Sequence, residues 1–154
     1  GVRKSVADYR LLRHLGLRRV YVGLESGHDP LLAFVRKPGT AAAAIDTVRT
    51  IKAAGVQAGV IVMIGLGGGR YAEGHVSDTI AAVNAMGLGP GDFLYFSDLV
   101  EVPNTSYPLL AESGGIESLD AVARASQRTA IRKGLRFPGA PPQMATYEIG
   151  EFVY

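Results

Sequence analysis

The sequence predicts an α/β fold of parallel strand–helix units, the kind of unit that makes up part of a TIM-type (β/α) barrel. Three short apolar runs rich in β-branched and aromatic residues carry that expectation: Arg19–Glu25, Gly59–Gly65 and Phe93–Val100. Their apolar character is continuous rather than alternating, which suits strands covered by helices. Helical spacing fills the intervals between them, as βαβ crossovers require.

The helices announce their ends. Ser5 and Asp8 have the spacing of a capping box, with Leu11, Leu12 and Leu15 as an apolar face and Gly16 as the stop. Asp29-Pro30 reads as an N-cap followed by proline at the first helical position. Thr40 precedes an alanine-rich helix with Ile45, Val48 and Ile51 on one stripe, closed by Gly55. From Ala72 to Met86, Val76, Ile80, Val83 and Met86 recur three or four apart, and Gly87 follows. A last helix is expected from Ser118 to Lys133. The expected division is about three strand–helix units over 1–136 and a tail or wrap-around segment over 137–154, with no element placed in the tail.

Bulk properties bound the function. The chain has 154 residues, 47% hydrophobic and 19% charged, enough for one domain with a core. A net charge of +2 with no basic run argues against nucleic acid. No apolar stretch approaches the roughly 20 residues of a membrane helix, and no export leader is visible, so a cytoplasmic location is the default expectation. Cysteine is absent, which excludes disulfides and thiolate metal sites in this chain. Together with Gly1 at the first position, that absence leads to the expectation of a piece of a longer protein.

Ligands of such folds collect at the carboxyl ends of the strands. Glu25 after the first run suits a ribose diol or an ammonium; a helix-capping turn of Glu25-Ser26 is the alternative reading. His28 reads as a solvated turn residue. Gly65-Leu-Gly-Gly-Gly69 after the second run offers close backbone approach, with an anion cradle as one reading. It matches neither a dinucleotide fingerprint, since Arg70 stands where glycine is needed, nor a P-loop. Arg70, Glu73 and His75 beside it face either a substrate or solvent. The third run exits into Glu101-Val-Pro-Asn-Thr105.

Taken together, Val22-Gly-Leu-Glu-Ser-Gly-His-Asp-Pro-Leu-Leu32 with Lys37-Pro-Gly-Thr40, Met63-Ile-Gly-Leu-Gly-Gly68 with His75 and Thr79, and Val102-Pro-Asn-Thr105 resemble the radical S-adenosylmethionine (SAM) superfamily. More narrowly, they resemble its anaerobic oxidoreductase-like members, several of which carry an upstream cobalamin-binding domain. The resemblance covers about residues 5–110 and implies the second half of a six-stranded radical SAM barrel. It implies SAM as cofactor, with Glu25 and Ser26 at the ribose or methionyl part and Lys37 at the methionine carboxylate. Ile61, Gly65 and Leu66 would pack on adenine, and Val102-Pro103 would meet its edge. Gly68-Gly69 and Asn104 depart from the family's usual residues. In the parent enzyme a 4Fe-4S iron–sulfur cluster, held by a Cys-x3-Cys-x2-Cys loop, would cleave SAM reductively to a 5′-deoxyadenosyl radical; the substrate is undefined. This chain alone lacks those ligands and is expected to be inactive. Other classes consistent with the residues are an aldolase-like or phosphate-binding barrel using the glycine loop, and a non-catalytic half-barrel that associates with another chain.

Overall fold

The computed structural model describes residues 2–147. Six helices and four strands follow in order: α1 (Val6–His14), β1 (Arg19–Glu25), α2 (Asp29–Phe34), α3 (Ala41–Ala53), β2 (Gln57–Ile64), α4 (Ala72–Met86), β3 (Phe93–Asp98), α5 (Ser106–Ser113), α6 (Ala121–Gly134) and β4 (Gln143–Tyr147). The strands form one all-parallel sheet in the order β1-β2-β3-β4.

Alternation along the strands sorts the two faces. Leu24, Ala58, Val60, Val62, Ile64, Leu94 and Phe96 point into a core completed by Val48, Ile51, Val83, Met86 and Ile131 from the helices. Residues of the other parity form a barer face. There Tyr21 lies across Gly59, where any Cβ would stand 2.5 Å from its ring. Phe93 and Tyr95 stack at 5.6 Å, and the Arg19 guanidinium lies 4.1 Å from the Phe93 ring centroid.

The caps explain the helix boundaries. Ser5 and Asp8 make the reciprocal capping box, with Ser5 N–H donating to Asp8 Oδ2 at 2.7 Å and Asp8 N–H to Ser5 Oγ at 3.2 Å. Thr40 Oγ1 accepts from Ala43 N–H, and Gly87 adopts φ +66 to end α4.

Four expectations change. His28 rather than Asp29 is the N-cap of α2; the Asp29 carboxylate instead accepts from Ala41 N–H at 2.8 Å and ties α2 to the start of α3. Only part of the α1 leucine face is covered. Leu12 packs on the core, whereas Leu11 and Leu15 are 60% and 72% exposed, because the main neighbour of α1 is the single helix α3, which covers one side of it. The last helix starts at Ala121 behind the Asp120 cap, and α5 precedes it unforeseen. Finally, the segment read as a tail supplies β4, which pairs with β3 from Phe93↔Gln143 to Ser97↔Tyr147, while its remainder, 148–154, lies outside the described residues. The sheet is therefore one strand wider than the three units expected.

Candidate functional site at the carboxyl end of the sheet

Strand β1 ends in a backbone conformation that its residue type disfavours. Glu25 has φ +62, a left-handed value that costs a non-glycine residue on the order of 1–3 kcal/mol. The turn closes through Ser26 N–H to Leu24 C=O at 2.7 Å, and the β1–β2 register shifts between Gly23 and Glu25. This geometry folds the Glu25 side chain back over Gly23, where an added Cβ would lie 2.7 Å from Glu25 Oε1 and 3.6 Å from Lys37 Nζ. Lys37 reaches the same place from the turn after α2, 3.7 Å from Oε1. Glu25 Oε2 is buried and has no hydrogen-bond partner. Burial raises the Glu25 pKa above the ordinary carboxylate value, with Lys37 acting in the opposite direction. Gly23 pairs with Ile61, so Glu25, Lys37 and Ile61 of the expected set come together on the barer face.

Ser26 does not join them. It is fully buried; its Oγ accepts from His28 N–H at 3.0 Å and meets His75 Nδ1 at 2.7 Å. His75 is also fully buried, neither substrate-facing nor solvated, and its Nε2 lies 2.8 Å from Met63 C=O. One turn along α4, Thr79 Oγ1 accepts from Gly27 N–H at 2.9 Å. His75 and Thr79, spaced to share a helix face, thus dock α4 onto the turns that end β1 and β2. His28 is not a free turn residue either: its Nδ1 pairs with Asp78 Oδ2 at 2.6 Å, and its ring fills the space left by Gly74.

The glycine loop is closed to ligands at most of its amides. Gly65 N–H donates to Gln127 Oε1, Gly67 N–H to Tyr107 Oη, Gly68 N–H to Gly65 C=O and Gly69 N–H to Glu117 C=O. A buried amide needs an acceptor; α5, α6 and the loop between them provide three of these four, and Gly65 C=O the other. Gly65 and Leu66 are buried, with Arg124 of α6 against Gly65. The anion-cradle reading loses its donors, since these four amides are already paired. Gly68, with φ +54 and a would-be Cβ 2.0 Å from Glu117 C=O, admits no side chain. Arg70 donates to Gly114 C=O at the end of α5, and Glu73 is exposed.

At the third exit, Val102 and Pro103 are exposed. The Val102 carbonyl accepts from Thr105 N–H and Oγ1. Asn104 has φ +65, so asparagine here keeps the left-handed turn that glycine would make. Sequence reasoning missed Gly23, whose lack of a side chain makes room for the Glu25–Lys37 pair; the signal was a glycine two positions before a strand-end carboxylate.

Desolvation holds the His75 pKa down at about 4, below its ordinary 6.5. The unfolded chain therefore takes up a proton that the folded chain refuses between those values. Stability should be unaffected by His75 above about pH 6.5 and fall as pH drops towards 4, by about 3 kcal/mol in all. Urea midpoints at about pH 7 and pH 4.5, compared between wild type and His75→Gln, check this: the variant should lack that share of the acid loss, and parallel pH slopes would refute it.

No family model matches this chain, and no curated protein matches it in sequence.

Proposed function

We propose that the chain is the second half of a radical SAM barrel and that Glu25 and Lys37 hold SAM at the carboxyl end of its sheet. One observation carries the reading: a buried carboxylate oxygen without a partner, on a residue kept in a strained left-handed conformation beside a lysine. Strain of this kind persists where the surrounding structure enforces it, and it clusters at ligand sites. The orphan Oε2 fits a donor such as a ribose hydroxyl or the methionyl ammonium, and the Lys37 ammonium fits a carboxylate. Gly23 keeps the approach to both groups free of a side chain. The all-parallel sheet and the sequence resemblance at β1, β2 and the exit of β3 support the same reading.

An iron–sulfur cluster does not fit the residues present, because the chain has no cysteine. No reductive step on SAM is assigned to this chain, and the role of its residues would be to bind and orient. When SAM is bound, Glu25 would fix the orientation of its polar end and Lys37 would balance its carboxylate.

Titration calorimetry with SAM tests the assignment. Wild type should bind, and Glu25→Gln should weaken binding at least tenfold, since a hydrogen bond to a charged group is worth about 1.5–3 kcal/mol. Equal affinity in the variant, or stabilisation by sugar phosphates but not by SAM, would remove the reading.

A further inference from the structure

The protonation pattern around His75 follows from its partners alone. Met63 C=O can only accept, so His75 Nε2 carries the ring proton and donates it at 2.8 Å. The neutral ring then has a lone pair at Nδ1, 2.7 Å from Ser26 Oγ. Ser26 Oγ already accepts from His28 N–H, which leaves its single hydroxyl proton for His75 Nδ1. The chain Met63–His75–Ser26–His28 is thus ordered in one direction, with every donor matched to an acceptor. Ser26 is also the residue whose N–H closes the turn on Leu24 C=O, and Glu25 is the residue between them. Its left-handed φ is therefore fixed on one side by the strand and on the other by a serine locked to a buried histidine.

We propose that His75 is a positioning residue for the ligand at Glu25: through Ser26 it holds the Leu24–Ser26 turn that aims the Glu25 carboxylate. This rests on the assignment of Glu25 to SAM, and it assigns His75 a role although the residue itself touches no ligand. His75 has two separable sides: Nε2 meets Met63 C=O, and Nδ1 meets Ser26 Oγ at 2.7 Å, with Thr79 Oγ1 farther off at 3.4 Å. A glutamine at this position keeps a donor for Met63 C=O and loses the acceptor at the Nδ1 position; an asparagine does the reverse. A residue that merely staples α4 to β2 would need the first bond, whereas a positioning residue needs the second.

The test measures SAM affinity by calorimetry and melting temperature for wild type, His75→Gln and His75→Asn in the full chain. Positioning predicts that His75→Gln binds SAM at least tenfold more weakly, and that His75→Asn recovers at least half of that loss on a logarithmic scale even where it melts lower. Nitrogen NMR of the wild-type ring adds a readout that needs no variant to fold: the free protein should show the Nε2–H tautomer, and saturation with SAM should move the Nδ1 resonance. Wild-type binding that His75→Gln leaves within twofold, or an Nδ1 signal indifferent to bound SAM, overturns the positioning role and leaves the cofactor assignment standing. A wild-type chain that binds no SAM removes both.

Discussion

Replacing Gly27 by alanine should destabilise the fold by about 3 kcal/mol or more, at the upper end of what overpacking costs. The added Cβ would stand 2.2 Å from Asp78 C=O, 2.5 Å from the same carbonyl carbon and 2.7 Å from the Thr79 Cα. All three are backbone atoms of α4, so no side chain can swing aside; the helix itself would have to retreat. Retreat would stretch the Gly27 N–H to Thr79 Oγ1 bond and the Ser26–His75 bond beside it, leaving buried polar groups without partners. Gly69→Ala is the control, because its Cβ would meet nothing within 4 Å and its φ is not left-handed. Urea denaturation should give a large loss for the first variant and less than about 1 kcal/mol for the second. A Gly27→Ala protein as stable as wild type would mean that α4 does not sit against this turn.

This contact marks what the sequence could and could not disclose. Local chemistry was legible: the Ser5–Asp8 box, the Thr40 cap and the Gly87 stop each act within a few residues, and α1, α3 and α4 end close to where those signals fall. The apolar runs located β1, β2 and β3 because each is a short continuous stretch of apolar residues that packs one face on the core, Val20 and Val22 of β1 only in part. β4 was missed since its five residues carry one large aliphatic side chain, Met144, and follow a proline- and glycine-rich stretch. α5 was obscured by Pro108, which its first turn tolerates because the missing N–H has no helical partner there. In the site, the position of Glu25 at a strand end and the charge of Lys37 could be read directly. The fates of Ser26 and His75 could not. Polar residues near a strand end look solvent-facing until the docking of a distant helix desolvates them, and that docking depends on the absence of a side chain at Gly27. Nor does glutamate advertise a left-handed φ, which the surrounding turn imposes on it.

At the opposite end of the sheet, Asp92→Ala is expected to cost about 3–5 kcal/mol, the range for removing one partner of a buried ion pair. Asp92 is 2% exposed and gathers several elements. Its Oδ1 accepts from Ala58 N–H in β2 at 2.9 Å; its Oδ2 accepts from Gly89 N–H at 3.0 Å and pairs with the Lys52 ammonium of α3. Its own carbonyl accepts from Gln143 N–H where β4 begins. Alanine would strand the buried Ala58 amide and a partly buried ammonium together, and no neighbouring acceptor is in place to take over both. Asparagine should recover little, because whichever way its amide is turned, an NH2 group faces a donor. The loss should appear as a lower urea midpoint, accompanied by faster hydrogen exchange at Ala58 and Gly89, since both amides donate to the carboxylate that alanine removes. Loss of stability without faster exchange at those two amides would place the effect elsewhere and refute the pin.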